Sequence, residues 1–503
     1  MAEKKPIYEH IISSVVDGKL PDDFSLVEYD DSDFKIRFAD GAMDGMSIYH
    51  MSRPTLPDDI VQTIAKAFET ACAGDYETAD ATLSALLAEH RAINLIDQVQ
   101  QAVFEIAPGV DAQALYAYAT FPIFSSTERE MVKMGLSILE VFNEPDDKMK
   151  ELIRTFGLCD EFTIFCAWNA RTWTNGNEEV FSLAKRTDGW GRIHAIEMLE
   201  PETEEIRNWL LLEGVNNAVM PEYSALTCYV KAGVAERLAG EMTHEEFSGA
   251  TSIVFAALSE SPVAGIPSLD DPKAELERYI SQAARQKLDL WDCECIDSIA
   301  GYADDEGWDD LVEECDALLG TDDVRSLVED ELNRGRGMNI ARQLDIPYKD
   351  ALLEAMRSDF DKLYSNCHWL MDDSEHLEAV LNLFRERIPL DSIEDDPRDE
   401  TGLGKEFEAY RRLGFLIQSL RHKLPTGLDF VLKALTAPVV SNRTLAHRVL
   451  RCWVSDEGRP LSEVSQEAYE RLRYAYERES REDLREAIKQ ILDGEFSFSE
   501  DKM

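Results

Sequence analysis

The sequence predicts a mostly α fold, an array of stacked helix pairs preceded by a small mixed α/β segment. Three observations predict it. From Pro57 onward apolar residues recur three and four positions apart in nearly every segment. Residues 180–214 (VFSLAKRTDGWGRIHAIEMLEPETEEIRNWLLLEG) carry start and stop signals for a pair of helices, and parts of that pattern return near Met338 and Arg443. Close to the N-terminus, residues 33–39 (DFKIRFA) alternate instead, as a half-buried strand does.

Residues 1–55 form the mixed segment. The run 33–39 and the run 46–51 (MSIYHM) flank a stretch containing Asp40-Gly41 and Asp44-Gly45, a spacing that suits a small β-hairpin. Residues 56–157 are helical hairpins, with helical period over 60–72, 76–87, 96–106 and 131–142. Between the first two lies AGDYETA (73–79). Residues 158–390 hold helical repeats, 391–404 (DSIEDDPRDETGLG) form an acidic linker, and 405–503 return to helical repeats. The final helix opens on Ser480 with Asp483 as an approximate capping box and continues as the stripe Leu484, Ile488, Leu492.

Within 180–214, Pro201 suits a first helical turn, where its missing N–H costs nothing. Glu202, Glu204 and Glu205 set negative charge at the positive end of the helix dipole. Ile206, Trp209 and Leu210 make the apolar face, and Gly214 fits a left-handed cap. The preceding helix carries Arg192, Ala195, Met198 and Leu199; Arg443, Ala446, Val449 and Leu450 repeat that order, and Met338, Ala341 and Leu344 repeat it more loosely.

The R-x-x-A-x-x-[MV]-L pattern followed by a second amphipathic helix resembles HEAT repeats, directly over three copies and by extension over 158–491. AGDYETA resembles the inter-helix stretch of a tetratricopeptide repeat, which implies that Gly74 permits close helix approach and that Tyr76 and Ala79 pack the pair. These resemblances imply a HEAT/TPR-like α-solenoid whose concave face takes a partner. The wording KPIYEHIISSVVDGKLPDDFSL and GWGRIHAIEMLEPETEEI is also similar to an uncharacterised family of bacterial helical proteins, some members of which carry the label limonene hydroxylase. That label implies a cofactor-dependent hydroxylase.

Composition narrows the partners. With 44% hydrophobic residues among 503, the chain can build a substantial core. Its 99 acidic and 51 basic residues leave a net charge of −48, a field that repels nucleic acid and anionic membrane and favours basic partners. No apolar run is long enough to span a bilayer, and the N-terminus is charged too early for a secretory leader. The nine cysteines form no even framework, so reduced, buried thiols and a cytoplasmic location are expected.

A hydroxylase needs an oxygen-activating group, and none of the usual holders is legible. No cysteine sits in a glycine-containing loop after an aromatic, and there is no GxGxxG. Gly402-Leu403-Gly404-Lys405 ends like a phosphate loop but lacks its first glycine and the Ser/Thr after lysine. A di-iron bundle wants two Glu-x-x-His turns. Glu241–His244 straddles the start of a helix capped by Thr243 and Glu246, and Asp373 and Ser374 likewise begin a helix before His376. That same break separates His368 and Asp372 from His376 as metal ligands. Cys293 and Cys295 are too close for a CxxC pair, Ser182 and Lys185 match SxxK inside a helix, and the eight carboxylates of 304–316 lack the EF-hand order. No catalytic residue, cofactor or metal is therefore expected.

One segment opposes the acidic trend: 405–451 holds nine Lys/Arg against three carboxylates. Its candidate binding residues are Arg411, Arg412, Arg421, Lys423 and Arg448, while Arg443 matches the packing arginine of the repeat. The expected function is a non-catalytic scaffold or adaptor that binds a protein partner, a basic one, through a concave acidic surface. The alternatives are the hydroxylase that the label implies and an acidic nucleic-acid mimic that blocks a DNA-binding protein.

Overall fold

The computed structural model describes residues 4–29, 37–142 and 144–494. Among them are 29 α-helices and six short 3-10 helices but no strand, the only β pairing being the isolated bridges Val16–Lys19 and Glu400–Val439. No described helix is long and apolar enough to cross a membrane. The chain divides into two compact units, Met1–Cys315 and Asp316–Met503.

In the first unit the described residues hold no N-terminal hairpin. Residues 33–36 lie outside the described residues, and the expected second arm, 46–51, falls mostly in the helix Ala42–Tyr49. The reason is tertiary. One helical turn puts Asp44 against buried cations, and Gly45 lets the helix lie on the Trp190 ring, where a Cβ would come within 2.3 Å of the indole. The hairpin of helices Ile60–Cys72 and Tyr76–Glu89 does form, with Asp75 capping the second helix through the Thr78 N–H at 3.1 Å. Gly74 acts differently from the close approach expected of it. A Cβ there meets nothing within 4 Å, and the residue supplies a left-handed φ of +97° that turns the chain.

From Asp160–Arg171 to Leu290–Asp305 the helices pack chiefly against helices one or two places away in sequence. Residues 180–214 cover the end of helix Gly176–Arg186, all of Trp190–Met198 and all of Glu204–Glu213. Two of their expected signals fall elsewhere. Thr203, not Pro201, ends the approach to the third helix, its side chain accepting from the Ile206 N–H at 3.2 Å. Gly214 has an ordinary φ of −62°; its small size matters because a Cβ would sit 2.4 Å from Cys228 Sγ. Thr243 and Glu246 form the full capping box expected at helix His244–Ala257.

The second unit is organised around the helix Val440–Glu457, whose Trp453 is fully buried and donates Nε1–H to Leu420 O at 2.9 Å. Residues 391–404 belong to this unit: Glu400 bridges to Val439, and Asp395 pairs with Arg471 at 3.1 Å. The last helix, Glu482–Leu492, starts after Arg481 rather than at a Ser480 capping box, because Arg481 holds Asp483 at 2.8 Å. Eight of the nine free cysteines are buried and Cys72 is half-buried. Burial pushes the thiols of Cys228, Cys293 and Cys367 up to about 12, so they behave as small apolar groups.

Candidate functional site

The densest chemistry of the first unit is a buried charge centre. Helix Arg129–Leu139 carries Lys133 into the interior with no exposed surface. Its ammonium meets Glu161 at 2.5 Å, Asp44 at 2.7 Å and Glu130 at 2.9 Å. Arg91 adds contacts to Asp44 at 2.8 Å and Glu130 at 3.0 Å, and Arg129 reaches Asp40 at 3.4 Å and Glu161 at 3.5 Å. Backbone N–H groups complete the carboxylates: Gly41 donates to Glu161 at 2.8 Å and Ala92 to Glu130 at 2.7 Å. Burial alone would strip the proton from Lys133, but Asp44, Glu130 and Glu161 outweigh it and hold the ammonium charged well above its ordinary range. Burial likewise opposes ionisation of Glu161, and Lys133 and Arg129 overcome it to keep the carboxylate below its usual range. A lysine nucleophile needs the opposite shift. The centre is an electrostatic staple for the segments that carry Asp44, Arg91, Lys133 and Glu161.

Beside it opens a cleft of about 610 Å³, walled by Leu20, Phe24, Asp40, Asp160, Trp190 and Arg192. Asp160 caps the helix Trp190–Met198 from outside, accepting the Gly191 N–H at 3.1 Å. Gly189 and Gly191 are required here, since a Cβ on either would lie 2.2 Å or 2.6 Å from the Asp160 carboxylate. Burial, then Asp40 and Asp188, push Asp160 up to about 7 against that N–H. Arg192 lies along the Trp209 ring at 5.0 Å and donates to Glu213 O at 2.8 Å.

In the second unit the basic segment divides. Arg443 is buried against Glu479 at 2.7 Å and donates through Nη1 to Arg398 O, Ala437 O and Pro438 O. Arg411 donates to the carbonyls of Gly402 and Gly404 at 3.2 and 2.6 Å. The glycines that end like a phosphate loop thus present carbonyls to a cation, the reverse of an anion cradle. Arg412 holds Asp361 at 2.9 Å and Glu408 at 2.5 Å and stacks on Phe360. Arg448 is exposed. Arg421 and Lys423 come together on a pocket of about 570 Å³.

The histidine pairings are local. His376 lies between Asp373 at 2.9 Å and Asp350 at 3.0 Å, while His368 sits on the separate 3-10 helix Tyr364–Leu370. Among the described residues no group of three or more His, Cys, Asp or Glu is arranged to hold a metal ion. The charge centre and Asp160 escaped sequence reasoning. Their signals are a lysine inside the apolar run MVKMGLSIL (131–139) and the paired glycines around Trp190. Comparison with models of known protein families gave no match, and comparison with curated proteins gave none.

Proposed function

We propose that the chain is a non-catalytic helical-repeat scaffold, a solenoid of HEAT- and TPR-like helix pairs, that binds a basic protein partner through its acidic surface. The packing of each helix between 160 and 305 against its sequence neighbours supports the repeat reading. The state of the carboxylates carries the binding reading. Asp44, Glu161 and Glu479, buried in the interior, are consumed by Lys133, Arg91, Arg129 and Arg443. The seven between Asp304 and Glu314 are all exposed, and among the described residues only Asp310 meets a cation, Lys273 at 2.7 Å. A concentrated, unneutralised acidic face steers and orients a basic partner.

The test is charge reversal. Asp304, Asp305, Glu313 and Glu314 changed together to Lys should abolish retention of the partner that copurifies with the unaltered chain, and that retention should weaken steeply with salt. A partner held equally by both chains would refute the acidic face. Stoichiometric iron, haem or flavin in the pure protein would refute the scaffold and favour a hydroxylase.

A further inference from the structure

We propose that the pocket between the 3-10 helix Tyr364–Leu370 and the end of the helix Glu408–Gln418 binds the phosphate group of a small organic phosphate, with Arg421 and Lys423 as its cationic ligands. The proposal is independent of the acidic face, since it concerns the opposite charge in the other unit.

Arg421 carries the argument. Its Nε is buried without an acceptor. Four other arginines, Arg129, Arg192, Arg412 and Arg451, also bury an Nε that has no acceptor. Each of them is anchored through a terminal nitrogen, to Glu161, Glu213 O, Asp361 or Gln490. Arg421 has its Nε buried in the same way, yet no nitrogen of its guanidinium meets a hydrogen-bond or ion-pair partner among the described residues. The protein itself closes off the Nε, so the unpartnered terminal nitrogens are the donors that a ligand oxygen in the pocket can engage. The planar fork of arginine suits two phosphate oxygens at once.

The other walls agree. Lys423 is held only loosely, by Asp372 at 3.7 Å, and Asp372 is largely in water, so the ammonium can turn to a ligand. Asp372 is the one carboxylate on the pocket wall. His422, between the two cations, is turned to Asp456 at 2.8 Å. Gln418 and Ser365 contribute neutral polar groups, and His368 keeps its Nδ1 on Ser365 O at 2.9 Å, leaving Nε2 unengaged. Met371 and Phe415 line the remaining wall. The volume exceeds that of an inorganic ion, and the apolar wall suits the organic part of a phosphate ester. Two cations against one carboxylate favour a dianion over a monocarboxylate.

Calorimetric titration of the full chain with inorganic phosphate, phenyl phosphate and acetate tests this. Both phosphates should saturate one site, phenyl phosphate the more tightly, and acetate should not. Arg421→Gln should weaken phenyl phosphate by about tenfold or more, Arg421→Lys should recover part of that loss, and Lys423→Gln should weaken it by a few-fold. Arg473→Gln, on the helix Gln466–Arg478 and off the pocket wall, should leave it unchanged. Circular dichroism and thermal melting establish that each variant is folded. If Arg421→Gln does not fold, hydrogen exchange on the unaltered chain decides, because phenyl phosphate should protect 364–371 and 415–423. Absence of saturable phosphate binding, undiminished binding by a folded Arg421→Gln chain, acetate binding as tight as phosphate, or no protection of those segments would each overturn the proposal.

Discussion

Lys133 and Arg443 are both removed from water, one in each unit, and they are neutralised in different ways. Lys133 is a compact point charge that three carboxylates surround at 2.5–2.9 Å, and those carboxylates in turn need Arg91, Arg129 and backbone N–H groups. Arg443 saturates itself: one carboxylate, Glu479, takes two of its nitrogens at 2.7 and 3.2 Å, and three backbone carbonyls take the third. The ammonium makes a hub whose members depend on one another, whereas the guanidinium makes a self-contained clamp. A buried ion pair is weak evidence for net stability, yet removing one partner strands the other charge. The hub strands three carboxylates and the clamp one buried carboxylate, since Asp399, 3.7 Å from Arg443, is half in water.

The largest expected effect is at Lys133. Lys133→Met leaves Asp44, Glu130 and Glu161 buried in one another's field and should destabilise the first unit by ~3–5 kcal/mol. Urea unfolding followed by hydrogen exchange in Met1–Cys315 measures it, and a cost under about 1 kcal/mol would break the view of Lys133 as a hub. Next in size is Arg443→Lys. It keeps the charge but cannot reach both Glu479 oxygens and three carbonyls, so a loss of ~2–3 kcal/mol is expected in the second unit. Full tolerance of lysine there would mean that charge alone, and not the fork, matters.

The smallest effect sharpens the contrast within the first unit, between the ionised hub and its neighbour Asp160. Folded, Asp160 keeps its proton up to about pH 7. Unfolded, it loses the proton near pH 4. Unfolding between those values releases a proton, so the contribution of Asp160 is greatest below about pH 4 and declines as pH rises to about 7. Relative to Asp160→Asn, the unaltered chain should lose about 1–3 kcal/mol between pH 4 and 8, a figure discounted because Asp160 lines a cleft that water reaches. Parallel thermal melts at pH 5 and pH 8 measure the difference. A difference that does not change with pH would mean that Asp160 is ionised throughout.

Helices and many of their ends were legible because their causes are local. The apolar period of 60–72 and 76–87, the Asp373 start, and the Thr243 and Glu246 box all act within a turn or two of chain. The failures have the opposite character. The run 46–51 reads as a strand until Asp44 is placed on Lys133, 89 residues away, and Gly45 on Trp190. Of the candidate site, the pairing of Arg421 with Lys423 was visible as neighbours in a basic segment. The engagement of Arg411, Arg412 and Arg443 by the protein's own acceptors was only partly visible, because those acceptors are backbone carbonyls and carboxylates that composition does not locate.

The sequence by itself determined the helical class, the distribution of net charge and the phase of most apolar faces, since hydrogen bonds from i to i−4 and side-chain periodicity are properties of neighbouring residues. Only the tertiary structure decided which charges are consumed and which remain. Asp44, Lys133 and Glu161 meet from distant parts of the chain, and Arg421 is singled out only when every other acceptor has been placed. The physical reason is that desolvation and Coulomb energy depend on distance in space, a quantity that no spacing along the chain encodes.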